Sequence, residues 1–177
     1  MYRLLPCVLV AVVGFAAPAF AHPGHVESGF LHPFTGYDHL LAMIGAGMWA
    51  AFLAQRRPSA AYLVPAAFMV MMAVGAAAGF AGIKLPLAEA GVLASVFALG
   101  GFVLAGIRVP TATAILVVGW FASLHGFAHA TDAPVQDPGR YIVGFLAATA
   151  LLHGVGLALG TVALRLVGDL GLRALGA

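Results

Sequence analysis

Long apolar stretches with very little charge constrain this chain more than any other feature. Of its 177 residues, 63% are hydrophobic, eight are Lys or Arg and six are Asp or Glu. About a quarter of the residues of a soluble domain are charged, and disorder requires low hydrophobicity. The composition therefore predicts an all-α polytopic membrane protein. Arg56 and Arg57 form the only basic cluster, which argues against nucleic acid as a partner.

Windows of about 20 apolar residues predict about five transmembrane helices. Short connections that carry Pro, Gly or charge separate the windows. Together they predict a helical transmembrane domain over residues 37–167 and a cytoplasmic tail over residues 168–177. The predicted helices are Tyr37–Ala54, Ala60–Phe80, Pro86–Ile107, Pro110–Ala130 and Arg140–Val167.

Residues 1–21 have the pattern of a secretory signal peptide. A short basic start precedes an apolar core, and Ala19-Phe20-Ala21 matches an A-x-A cleavage site. An uncleaved sixth transmembrane helix is the alternative. Cys7 is the only cysteine of the chain, so a cleaved protein would have no disulfide and no thiolate ligand. Residues 22–36 would then form a periplasmic segment that contains histidines.

The basic residues predict the orientation of the helices. A cleaved signal peptide leaves the mature N-terminus outside, and an uncleaved helix that starts inside gives the same topology. On this topology most basic residues lie inside, as the positive-inside rule requires. We therefore expect a multi-pass protein of the bacterial inner membrane with a periplasmic N-terminus. The residues on the inner side are Arg56, Arg57, Arg108, Arg165 and Arg173, and those on the outer side are Lys84 and Arg140.

Ionisable residues in the apolar helices indicate the function, because their burial in a membrane is costly unless they are paired or used. His125 and His129 are one turn apart and share a helix face, with Asp132 close to it, and Asp38-His39 begins the first helix. Imidazole and carboxylate ligands without thiolate suit Ni²⁺, Co²⁺, Zn²⁺ or Fe²⁺. The predicted metal ligands are His22, His25, His32, Asp38, His39, Glu89, His125, His129, Asp132 and His153.

Several of these residues also have a structural explanation. His22 and His25 fit either a solvated tail or a metal-collecting arm. Glu89 could satisfy backbone groups or a partner histidine. His153 fits a core histidine bonded to a helix carbonyl as well as a deeper relay ligand. Met43, one turn after His39, could be a soft extra donor, although packing is the favoured interpretation.

Two short motifs surround the histidine pairs. The first reads His32-Pro-Phe-Thr-Gly-Tyr-Asp38-His39, and the second reads Leu124-His125-Gly-Phe-Ala-His129-Ala-Thr-Asp132. They resemble the H-x5-D-H and F-H-G-x-A/V-H-G-x-E motifs of the HupE/UreJ family of small nickel and cobalt permeases. Leu124, Ala130 and Asp132 stand where that family has Phe, Gly and Glu. The resemblance covers nearly the whole chain and implies secondary uptake of Ni²⁺ or Co²⁺.

The expected function is therefore a permease that carries Ni²⁺ or Co²⁺ inward, not an enzyme. The ion is cargo, no cofactor is held permanently, and the partners are the ion and the lipid bilayer, with a homo-oligomer as an open alternative. No G-x-x-x-x-G-K-[ST] motif is present, which excludes ATP hydrolysis by this chain. Metal binding needs neutral imidazole, so uptake should weaken as the external pH falls through about 6.

Three other functions are weighed against the permease. A membrane-embedded zinc hydrolase could use Ser123, and it would retain Zn²⁺ through purification. A bis-histidine haem carrier needs two histidines at one depth, and His153 has no clear partner at its depth. A metal-binding accessory protein or sensor has the same sequence features as a permease.

Overall fold

The computed structural model describes residues 29–133 and 137–175. Within these ranges every regular element is a helix, which confirms the predicted all-α class. The predicted signal peptide, His22 and His25 lie outside the described residues. The helices are α1 (His32–Thr35), α2 (Tyr37–Ala54), α3 (Ala60–Phe80), α4 (Ala88–Leu104), α5 (Thr111–Asp132) and α6 (Pro138–Leu175).

Four of these helices contain apolar stretches long enough to cross a membrane. The stretches are Tyr37–Ala54, Ala60–Phe80, Thr111–Thr131 and Pro138–Leu166. The fifth apolar helix, α4, has 17 residues, so it is about 25 Å long and at the lower limit for a transmembrane helix. The described part of the chain is therefore a polytopic bundle of four long apolar helices and one shorter one.

The third predicted helix, Pro86–Ile107, is shorter than expected at both ends. Leu87 has a left-handed backbone with φ 67°, and α4 begins only after it. At the other end Gly106 has φ 62°, and the N–H of Ile107 donates to the carbonyl of Phe102. This is the Schellman arrangement, in which a left-handed glycine ends a helix. These two left-handed residues limit α4 to Ala88–Leu104.

The last helix is longer than the predicted Arg140–Val167. The Arg140 backbone N–H donates to the Asp137 carboxylate at 3.0 Å, which caps the start of α6. The helix therefore begins earlier, at Pro138. No proline follows Pro138 in the sequence, and the helix continues to Leu175. The predicted tail 168–177 is thus helical over most of its length.

Helices α3 and α5 pack with their backbones in direct contact. A Cβ added at Gly126 of α5 would overlap the carbonyl oxygen of Met72 in α3, and one added at Gly75 of α3 would overlap that of Ser123 in α5. Glycine removes the side chain that would keep the backbones apart. We call these two helices the α3–α5 pair.

Helices α2 and α6 form a second pair by the same means. A Cβ at Gly47 of α2 would overlap the carbonyl oxygen of His153, and one at Gly156 of α6 would overlap that of Ile44. We call these helices the α2–α6 pair. It also carries much of the buried core, including Met43, Trp49 and Phe145, which are at most 1% exposed.

The two ends of the bundle differ in chemistry. Beyond the C-terminal end of α2, a cavity of about 450 Å³ is lined by Arg56, Arg57 and Arg108 together with apolar residues. The Arg108 guanidinium donates to the Gln55 amide oxygen at 2.6 Å. The predicted histidine ligands of the first motif lie at the other end of α2. The bundle thus has one basic end and one histidine-rich end.

Candidate metal centre

Three histidines from three different helices converge at the start of α2. His32 on α1, His39 on α2 and His129 on α5 each offer a ring nitrogen, and these three nitrogens lie within 4.8 Å of one another. The ring centroids are 5.5 Å apart for His32 and His39, 4.9 Å for His32 and His129, and 4.6 Å for His39 and His129. We call these three residues the outer histidine cluster, after the side of the membrane that the sequence predicts for them.

The short helix α1 explains how residues of the first motif meet. After α1 the backbone is extended at Gly36, with φ −87° and ψ 104°, and α2 follows at once. The Gly36 N–H donates to the His32 carbonyl at 3.1 Å. A Cβ at Gly36 would lie only 3.2 Å from the Asp38 carboxylate and 3.3 Å from the His39 ring. The turn therefore brings His32 back over His39. Glycine at position 36 leaves room for the side chains of Asp38 and His39.

Asp38 holds His39 in one orientation. Its Oδ1 accepts a hydrogen bond from the His39 backbone N–H at 2.8 Å and contacts the His39 Nδ1 at 2.7 Å. An ionised carboxylate can only accept, so Nδ1 carries the proton and Nε2 keeps its lone pair. The Nε2 atom is buried without a hydrogen-bond partner. This is the carboxylate–histidine arrangement that orients metal ligands, while direct ligation by Asp38 stays a prediction.

His129 is fixed by stacking and not by hydrogen bonds. Its ring lies parallel to that of Phe145, with centroids 4.3 Å apart and an interplanar angle of 8°. The residue is fully buried, and within the described ranges neither ring nitrogen has a hydrogen-bond partner. Burying an unpaired polar group is costly. Coordination of a cation at the outer histidine cluster would satisfy one of these nitrogens.

His125 lies one turn deeper on α5 and contacts the cluster through His39, at 4.9 Å between ring centroids. Its Nε2 is 2.9 Å from the Ser95 hydroxyl, which also donates to the Val92 carbonyl. A hydroxyl has one proton, so Nε2 donates to Ser95 and the lone pair lies on Nδ1. That Nδ1 is buried without a hydrogen-bond partner. His125 thus offers a further nitrogen just below the cluster.

Glu89 and His153 are not among the three residues of the outer histidine cluster. Glu89 is exposed in the first turn of α4. His153 is buried on α6. Asp132 ends α5, and its side chain lies outside what the structure describes. The proposed metal contacts of these residues stay predictions.

Sequence reasoning missed the residues that support the histidines. Ser95 bonds His125, Phe145 stacks on His129, and the Phe68 ring lies beside His125 at 5.8 Å between centroids. Ser95 could have been found as the one hydroxyl of α4, in the apolar stretch that follows Glu89. The two phenylalanines carry no such signal, because they are indistinguishable from ordinary packing residues.

The bundle and its histidine cluster define a polytopic helical membrane protein with a candidate site for a divalent cation. A family model described as HupE / UreJ protein matches residues 10–177. Protein HupE of Rhizobium leguminosarum bv. viciae is 40% identical over 156 residues, which cover 84% of this chain and 80% of that protein. No solved structure matches the chain. The chain belongs to the HupE/UreJ family.

Proposed function

We propose that this protein is a permease that takes up Ni²⁺ or Co²⁺ from the periplasm across the inner membrane. The observation that carries the proposal is the convergence of three imidazole nitrogens within 4.8 Å. Imidazole suits these borderline divalent ions, and the nickel and cobalt permeases that the two motifs resemble supply the class of cargo.

The size of the outer histidine cluster agrees with this cargo. Two nitrogens that bind one ion at about 2.1 Å can be at most about 4.2 Å apart. The three nitrogens of the cluster lie within 4.8 Å of one another, so each is at most about 2.8 Å from a common centre and would move by about 0.7 Å or less to bind one ion. Among the described side chains no carboxylate belongs to this group of three, whose donors are neutral imidazoles. Moderate binding suits a transporter, because the ion must also leave.

The chemical difference between the ends of the bundle supports the direction of transport. The arginine-lined cavity lies at the end opposite to the histidines. By the positive-inside rule, the arginine end is cytoplasmic and the outer histidine cluster faces the periplasm. An incoming ion then meets the cluster first and His125 next. No nucleotide motif is present, so the membrane potential, a coupled proton or a partner supplies the energy.

The test is cellular accumulation of Ni²⁺ and Co²⁺ in a host that lacks its own uptake systems. We expect the native chain to raise accumulation and His39→Ala and His129→Ala to abolish the increase at equal membrane levels. Ser123→Ala is the matched control, because the Ser123 hydroxyl donates to the Trp120 carbonyl of its own helix. Native protein that is present in the membrane and moves neither ion would overturn the proposal.

Two alternatives give different results in the same experiment. A zinc hydrolase would retain Zn²⁺ after purification and would lose activity in Ser123→Ala. An accessory protein would bind metal through the outer histidine cluster without raising accumulation. Metal content of the purified protein, measured beside uptake, therefore separates the three functions.

A further inference from the structure

Sulfur and oxygen atoms from three helices meet deeper in the bundle, below the outer histidine cluster. The Thr149 hydroxyl on α6 donates to the Met43 sulfur on α2 at 3.3 Å. The same hydroxyl lies 4.0 Å from the Met72 sulfur on α3. All three residues are fully buried. The two thioethers therefore share one polar neighbour in the middle of an apolar bundle.

His153 lies one turn after Thr149 and on the same face of α6. Its side chain is 2% exposed, and neither ring nitrogen makes a hydrogen bond of ordinary geometry within the described ranges. The Thr149 carbonyl is the backbone group with which the ring interacts. A weakly paired imidazole in the core of a membrane protein is costly and is commonly explained by a functional role. The outer histidine cluster does not use it.

Aromatic contacts link this deeper region to the outer histidine cluster. The Phe68 ring lies 5.8 Å from His125 and 4.8 Å from His153, measured between ring centroids. His125 in turn contacts His39. His153 follows Phe145, the residue that stacks on His129, by two turns, which is about 12 Å along the helix. Donor atoms are thus spaced in steps from the outer end towards the middle of the bundle.

We propose that Met43, Met72 and His153 form a second, deeper binding station for the transported cation, with Thr149 as the residue that positions the sulfurs. This inference rests on the proposed function and extends it to selectivity. Two thioethers and an imidazole favour soft and borderline ions, whereas Mg²⁺, Ca²⁺ and Mn²⁺ prefer oxygen ligands. The donors become softer with depth, so a hard cation that reaches the outer histidine cluster finds no comparable site below it.

The first test removes both sulfurs and keeps the side-chain volume. Met43→Leu/Met72→Leu is a volume-conserving exchange of the kind that cores tolerate best. We expect Ni²⁺ uptake to fall by about tenfold or more, while the outer histidine cluster still binds one ion. Met48→Leu/Met71→Leu is the matched control, because it also exchanges one methionine on α2 and one on α3. It should transport as the native chain does.

The second test looks for sulfur ligation directly. X-ray absorption spectra are recorded on purified, Ni²⁺-loaded His39→Ala/His129→Ala protein, in which the outer histidine cluster is disabled. We expect sulfur in the first coordination shell of nickel and its loss when Met43→Leu/Met72→Leu is added. A purely structural role of the methionines would give no sulfur signal in either protein.

The outcomes separate the two proposals. Normal Ni²⁺ uptake by Met43→Leu/Met72→Leu, or nickel bound by nitrogen and oxygen alone, would overturn the deeper station and leave the permease intact. No uptake by the native chain would overturn the permease. Lost uptake in the Met43→Leu/Met72→Leu variant, together with sulfur ligation and a normal control, supports the deeper station.

Discussion

The most informative perturbation is Asp38→Asn, because it changes the hydrogen-bond partner of His39, a proposed metal ligand, and leaves His39 itself in place. In the native chain the Asp38 carboxylate accepts from His39 Nδ1 at 2.7 Å, and Nε2 keeps its lone pair for the proposed ion. An amide carries no charge, and it can turn its NH₂ group towards Nδ1, which would favour the opposite tautomer. Asparagine would therefore hold the His39 ring less firmly in the orientation that it has in the outer histidine cluster.

The size of the effect follows from the hydrogen bond by which Asp38 orients His39, a proposed metal ligand. Loss of such a supporting carboxylate lowers metal affinity by about 10- to 100-fold, which corresponds to about 1.4–2.7 kcal/mol. The Asp38 side chain is 20% exposed, so solvent screens part of its charge. We therefore expect a decrease of about tenfold, at the lower end of this range.

The assay is Ni²⁺ titration of purified protein, with uptake measured in cells. Asp137→Asn is the matched control, because it removes a carboxylate of equal charge that is exposed and caps α6 through the Arg140 N–H. Asp38→Asn should weaken binding about tenfold, and Asp137→Asn should not. Equal affinities in the two variants would refute the argument that Asp38 orients His39.

Three further predictions follow from single contacts. Ser95→Ala removes the acceptor of His125 and should lower Ni²⁺ uptake several-fold at unchanged protein level; unchanged uptake would exclude His125 from the ion path. Gly126→Ala should lower the melting temperature by several degrees, because a Cβ would overlap the backbone of α3. Gly154→Ala is the control and should melt as the native chain does, because a Cβ there meets nothing within 4 Å. Trp49→Phe deletes a partly buried 2.8 Å hydrogen bond from the indole N–H to a backbone carbonyl. It should cost about 1 kcal/mol of unfolding free energy, measured by denaturant titration, and no loss would mean that water replaces the bond.

Much of the fold could be predicted because hydropathy alone marks a membrane helix. The limits of α2 and α3 agree with Tyr37–Ala54 and Ala60–Phe80 as predicted. The start of α4 could not be predicted, because it depends on a left-handed backbone at Leu87. Leucine rarely adopts that conformation, so no local sequence pattern predicts it.

The sequence predicted which histidines belong to the candidate site, but not which neighbours each of them has. Helical spacing placed His125 and His129 on one face of α5, and in the structure each of them contacts His39 of α2. Their surroundings differ, since His129 joins His32 in the group of three nitrogens and His125 bonds a serine from α4. Partners so distant in sequence depend on helix packing, which spacing within one helix cannot reveal.

The glycine contacts described above have a mechanical consequence. They pack α2 against α6 and α3 against α5 with no side chain between the backbones, so each pair forms one closely packed body. Both groups of candidate donors lie across the boundary between the two bodies. In the outer histidine cluster His39 belongs to one body and His129 to the other, and in the deeper region the sulfurs of Met43 and Met72 are divided in the same way. A displacement of one body against the other by about 1–2 Å would therefore separate the candidate ligands of both proposed sites together, while every helix stays wound and the packing inside each body stays intact.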